Sequence, residues 1–263
     1  MYKKILFLIV TLILTACQTT QTPSVSTGNT SSSSGAGFDK TKAARNRVNN
    51  GLTYLSRNNL ERAKFHLDKA ISFDPDLGDV HYAFGLYYQK VHEYDKANRH
   101  FREALSTDSD NPSYLNAYGA FLCERKDYKD ANKYFNRAIK VPNYTNVSLA
   151  YYNIGFCAVK RKDMATAEDN FRKALNRNPN MSQALYEMAQ IAYAKGNFSL
   201  AQSYVMRFEK NSSITSQSAW LGLRIAHYLR DKDEIGRYGI ILTQRFPDSE
   251  ETAIYLSDKK RWM

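Results

Sequence analysis

The sequence predicts an all-α fold, a right-handed superhelical solenoid of about six helix–turn–helix repeats. Three observations predict it. A small residue recurs at Gly51, Gly85, Gly119, Gly155 and Ala189, in steps of 34, 34, 36 and 34. Twelve residues after each stands an alanine: Ala63, Ala97, Ala131, Ala167 and Ala201. Four further on come Leu67, Phe101, Phe135, Phe171 and Val205, followed three later by Ala70, Ala104, Ala138, Ala174 and, in the fifth repeat, Phe208.

Each column has a physical reason. The small residue on the first helix (A) and the first alanine on the second (B) let two backbones approach closely. The large residue four positions on shares that helical face and fills the space between hairpins. Asp74-Pro75 and Asn178-Pro179 stop helix B, because proline cannot continue it, and Pro112 and Pro142 fall near the corresponding boundaries. Together these columns resemble the tetratricopeptide repeat (TPR), a 34-residue hairpin.

Some positions depart from that pattern. The customary glycine of the A–B turn appears only as Gly196; Asn58, His92, Lys126 and Lys162 hold the equivalent sites. Asparagine tolerates a left-handed backbone, and the others cost up to about 1 kcal/mol each. Two extra residues near Pro142-Asn143-Tyr144 predict a longer loop between repeats three and four. Residues 38–215 thus read as five TPR hairpins. Residues 216–263 read as a degenerate sixth hairpin and a C-terminal helix. In it, Trp220 to Ala226 lies on helix A and Asp233 to Phe246 forms helix B. A short helix runs from Glu250 to Arg261, and the Lys259-Lys260-Arg261-Trp262 tail is a solvated end. A terminal repeat meets water on one face, so atypical residues are expected there.

The first residues carry a processing signal. Lys3 and Lys4 precede Ile5–Leu14, ten residues with one threonine. That run is too short to span a bilayer and fits a signal peptide. Leu14-Thr15-Ala16-Cys17 resembles the bacterial lipobox, so residues 1–16 are expected to be removed and Cys17 to become the lipidated N-terminus. Gln18 stands where an aspartate typically retains a lipoprotein at the inner membrane. The expected location is therefore the outer membrane, lipid-anchored and facing the periplasm. Each buried methylene contributes about 0.8 kcal/mol, so several acyl chains anchor firmly. Residues 17–37 follow as the lipidated cysteine and a Ser/Thr/Gly-rich tether, with a reach of roughly 25 Å.

The formal charge is +11, from 37 Lys+Arg against 26 Asp+Glu; without Lys3 and Lys4 it is 35 against 26, or +9. Nucleic acid is not an expected partner in the periplasm. A basic surface suits anionic headgroups or an acidic protein, or serves solubility alone. No phosphate loop, His-Glu-x-x-His or Gly-x-Ser-x-Gly motif occurs, so neither an enzyme, a cofactor nor a small-molecule substrate is expected. His66, His81, His92, His100 and His227 are not read as metal ligands, and no metal is expected. Cys123 and Cys157 fall on the A helices of repeats three and four. Adjacent A helices pack side by side, so the thiols can meet in an oxidising compartment, or remain buried and free.

Family geometry places positions 2, 5, 6, 9, 12 and 13 of each repeat in a concave groove lined by A helices. The candidate partner-binding residues are Val48, Asn49 and Leu52 of repeat one, and Tyr82, Leu86 and Gln89 of repeat two. Asn116 follows from repeat three, Tyr152, Asn153 and Phe156 from repeat four, and Tyr186 from repeat five. Aromatic side chains supply contact area to a peptide, and amides can bond its backbone.

A longer match extends beyond the repeat. It includes Asn116-Ala117-Tyr118-Gly119-Ala120-Phe121-Leu122-Cys123, Pro142-Asn143-Tyr144 and Asn153-Ile154-Gly155-Phe156-Cys157-Ala158. Trp220-Leu221-Gly222-Leu223-Arg224-Ile225-Ala226 and Phe246-Pro247-Asp248-Ser249 complete it. The sequence resembles the PilW/PilF family of type IV pilus biogenesis and stability proteins over nearly the whole mature chain. The resemblance implies a pilotin, a lipoprotein that promotes outer-membrane localisation and multimer assembly of the type IV pilus secretin. It also supports a Cys123–Cys157 disulfide. The competing reading is a TPR adaptor for another envelope assembly complex.

Overall fold

The computed structural model describes residues 39–257. The signal peptide, Cys17 and the tether expected over residues 1–37 lie outside them, as does the basic tail from Lys259. Among the described residues there are thirteen helices and no strand. Six hairpins account for twelve. They pair α1 (Lys40–Ser56) with α2 (Leu60–Phe73), α3 (Gly78–Lys90) with α4 (Tyr94–Thr107), and α5 (Pro112–Glu124) with α6 (Tyr128–Lys140). Then come α7 (Val147–Lys160) with α8 (Met164–Arg177), α9 (Ser182–Ala194) with α10 (Phe198–Asn211), and α11 (Ser216–Leu229) with α12 (Lys232–Arg245). The last helix, α13 (Glu250–Ser257), packs on both α11 and α12. The fold is an all-α TPR solenoid. No helix among the described residues is long and apolar enough to cross a membrane.

The repeating columns locate the hairpin contacts. Phe101, Phe135 and Phe171 are buried against Gly85, Gly119 and Gly155 of their own hairpins. The same rings reach the next hairpin: Phe101 lies 5.4 Å from Phe121, centroid to centroid. Leu67 takes the ring's place beside Gly51 in the first hairpin. The sixth hairpin keeps the device with a different aromatic. Tyr238 packs on Gly222, sixteen residues before it as in the other repeats, and its hydroxyl donates to Glu209 Oε1 at 2.8 Å. This hairpin read as degenerate because Glu234 and Ile241 stand where the alanine columns would fall.

The A–B turns explain their own sequence. Asn58, His92, Lys126, Lys162 and Gly196 all adopt positive φ, between 57° and 74°, and Arg230 does so in the sixth turn. The following N–H closes the turn onto the last coil of helix A, as Asn59 N does onto Tyr54 O at 2.9 Å. That residue also caps helix B. The side chains of Asn59, Asp127, Asp163, Asn197 and Asp231 each accept a backbone N–H three residues on. Glu93 is too long for this and makes no such bond.

The connection from α6 to α7 takes six residues, 141–146, where the equivalent connections take four. Asn143 supplies its positive φ of 60°. A helices also pack on one another, α1 on α3, α3 on α5, α5 on α7 and α9 on α11, which sets their exposed sides in one row.

Candidate protein-interaction groove

The row of A helices carries three linked cavities. The first, about 670 Å³, is bordered by Leu52, Leu55, Leu86, Gln89, Lys90 and Glu124. The second, about 460 Å³, begins at Gln89 and Glu124 and continues past Ala120 to Tyr152, Asn153, Phe156 and Lys160. The third, about 620 Å³, begins at Tyr152 and continues to Gln183, Tyr186, Glu187 and Gln217. Shared side chains join each cavity to the next, so the face reads as one groove from α1 to α11.

Cross-helix contacts hold this floor in place. Gln89 Nε2 on α3 donates to Glu124 Oε2 on α5 at 2.6 Å, and Tyr94 OH donates to the other oxygen at 3.2 Å. Asn153 Nδ2 on α7 donates to Asn116 Oδ1 on α5 at 3.1 Å. Cys123 and Cys157 are joined as a disulfide with a Cα–Cα distance of 5.8 Å, tying α5 to α7 where the central cavity opens. The middle of the groove therefore rests on two helices linked both covalently and by an amide pair.

The residues expected to form the groove divide into four groups. Leu52, Leu86, Gln89, Tyr152, Asn153, Phe156 and Tyr186 line the cavities. Val48 and Asn116 are buried, at 4% and 6% exposure, and support the face from beneath. Val48 packs with Ala44, Leu67 and Phe84, and Asn116 spends its carbonyl oxygen on Asn153. Asn49 is exposed but borders none of the three cavities. Tyr82 is half-buried and stacks on Tyr114 at 5.4 Å, where Asp79 accepts the Tyr114 hydroxyl proton at 2.6 Å. Tyr144 of the long loop lies close to Tyr82. Burial, and then the neighbouring Tyr82 phenol, push the Tyr144 pKa up to about 12.

Glu187 is the distinctive charge of the third cavity. Burial raises its pKa, and the Lys160 ammonium offsets this only in part. The Tyr152 phenol beside it is pushed up to about 12, first by burial and then by the Glu187 carboxylate. Glu187 holds position 6 of repeat five, next to Tyr186 at position 5, so the repeat frame itself was the signal that could have found it.

Three side chains outside the groove also converge. His81 on α3 meets His100 and Glu103 on α4, their nearest ligand-type atoms about 3 Å apart. Reading the histidines without this pairing gave the expectation of no metal. His81 lies nineteen residues from His100, and only the hairpin brings them together.

Comparison with known proteins agrees with this geometry. The tetratricopeptide-repeat family model matches residues 44–77 and 149–181, and a model of YpiA-like, C-terminal tetratricopeptide repeats matches residues 79–142. Type IV pilus assembly protein PilF of Pseudomonas aeruginosa is 31% identical over 209 residues, covering 80% of this chain and 83% of PilF. A solved structure of P. aeruginosa PilF superposes with a TM-score of 0.72 at 32% identity, covering 83% of this chain and 99% of the other. The structure of PilW, described as a widely conserved type IV pilus biogenesis factor, superposes at 0.69 with 26% identity, covering 81% and 98%. The chain belongs to the PilF family of tetratricopeptide-repeat proteins that serve type IV pilus biogenesis.

Proposed function

We propose that this chain is an outer-membrane lipoprotein pilotin. Its A-helix groove binds an exposed segment of the type IV pilus secretin, and a lipid on Cys17 carries that subunit to the outer membrane for multimer assembly. The observation that carries this reading is the continuous groove centred on Tyr152, Asn153 and Phe156. Rigid aromatic faces give contact area at low entropic cost, and the amides beside them keep further donor and acceptor capacity for a peptide backbone. The groove is open along six hairpins, which suits an extended chain better than an enclosed small molecule.

The test is a deletion strain complemented with the wild-type chain or with Cys17→Ser. Heat-stable secretin multimers are followed by immunoblot and the chain by membrane fractionation. The wild-type gene restores multimers in the outer-membrane fraction. Cys17→Ser leaves the chain outside that fraction and the multimers depleted. Normal multimers in the uncomplemented strain contradict the pilotin role.

A further inference from the structure

We propose that His81, His100 and Glu103 form a divalent-cation site on the second hairpin, with a donor set suited to zinc. His81 Nδ1 lies 3.1 Å from His100 Nδ1 and 3.1 Å from Glu103 Oε2, and His100 Nδ1 lies 3.2 Å from the same oxygen. Three potential ligand atoms thus form a nearly equilateral triangle. Donors held at about 2.0–2.1 Å around a tetrahedral zinc stand about 3.3 Å apart, so the triangle already has that size. Two imidazoles and one carboxylate are a ligand set that zinc accepts, leaving a fourth position open.

With both rings neutral, hydrogen bonds alone leave one of the three atoms unpaired. His81 Nε2 is 2.8 Å from the Pro75 carbonyl oxygen, which can only accept. The ring proton of a neutral His81 is therefore on Nε2, and its Nδ1 lone pair is turned toward His100 Nδ1, with Glu103 Oε2 also 3.1 Å away. This carbonyl contact is also how a ligating histidine is commonly oriented. One proton on His100 Nδ1 can bridge to His81, but Glu103 Oε2 then stays without a partner. That oxygen is buried and makes no hydrogen bond, although it is within ion-pairing distance of both rings. A bound cation satisfies all three atoms at once.

The site is preorganised. The His100 ring stacks on Phe84 at 5.1 Å and on Tyr88 at 5.4 Å, and on the His81 ring at 5.4 Å. Side chains fixed by packing lose little freedom when they bind. The His81 and His100 side chains are 14% and 17% exposed. Glu103 also borders an open depression on α4, together with Asp95, Asn98, Arg99, Arg102 and Ser106. A metal here would clamp the start of α3 to α4, away from the groove.

The experiment uses the full chain, purified without a histidine tag and stripped with chelator. Zinc chloride is titrated by calorimetry, and cobalt(II) is followed by visible absorption, which reports tetrahedral coordination. The expected result is one ion per chain, with His81→Gln and Glu103→Gln each weakening binding about tenfold or more. Circular dichroism confirms that the variants are folded, and His92→Gln, in the exposed turn after α3, serves as the unaffected control. Absence of zinc binding by the wild-type chain overturns the site, as does equal binding by the variants. If zinc is absent and a histidine titrates as an imidazolium against Glu103 by NMR, the trio shares a proton instead.

Discussion

A Cβ built on Gly119 would stand 2.7 Å from Cε1 of Phe135 and 3.2 Å from the carbonyl oxygen of Ala131. Phe135 is 1% exposed, and the Ala131 carbonyl is backbone that cannot swing aside. Gly119→Ala therefore separates α5 from α6, which costs about 1–3 kcal/mol and outweighs the helix propensity that alanine adds. Gly236 on α12 is the reverse case, with open space around it. Gly236→Ala should stabilise by about 0.5–1 kcal/mol. Urea unfolding of both variants checks the opposite signs.

The Cys123–Cys157 bond closes a loop of 34 residues between α5 and α7. In the chain-entropy model a loop of that length contributes about 3–4 kcal/mol. Cys123→Ser with Cys157→Ser should lower stability by an amount of that order. Mass spectrometry of the unreduced wild-type chain should find no free thiol in this pair. Two free thiols, or unchanged stability in the double variant, would contradict it.

Glu187 gives the groove a pH dependence. Its folded pKa is raised by burial, so the native state holds the proton more tightly than the unfolded chain does. The unfolded state then binds fewer protons, and stability falls as pH rises from the ordinary carboxylate value through the raised one. The contribution is fully present only below the unfolded pKa. Glu187→Gln removes this loss, so its melting temperature should exceed that of the wild type at pH 7 and match it at pH 4. Melting curves at the two pH values decide. An equal melting temperature at pH 7 would contradict the raised pKa, and a lower one would show the carboxylate to be stabilising.

The fold was legible because its constraints repeat. Gly85 with Phe101 and Gly155 with Phe171 are pairs sixteen residues apart, and the fifth repeat keeps the spacing with Ala189 and Val205. The sixth hairpin was harder to read because it keeps only the contact, as Gly222 with Tyr238, and loses both alanine columns. For the groove, repeat positions 9 and 12 were good guides: Leu52 and Leu55, and then Leu86 and Gln89, border the first cavity. Position 5 was not a uniform guide. Tyr152 and Tyr186 reach the third cavity, whereas Val48 and Asn116 are short and buried, and Tyr82 is turned onto Tyr114. The meeting of His81 with His100 depends on the hairpin alone.

The central claim is that the A-helix groove holds the secretin. It is tested by capturing secretin from solubilised envelopes on the full chain carrying Tyr152→Ala with Phe156→Ala. The comparison is a double variant on exposed B-helix positions, Phe65→Ala with Met206→Ala. Both must first keep wild-type helical content. Truncating a central aromatic anchor often costs 2 kcal/mol or more, roughly a thirtyfold loss of affinity. The account predicts that the groove variant loses secretin and that the B-helix variant retains it. Full capture by the groove variant together with loss by the B-helix variant would put the partner on the opposite face and contradict it.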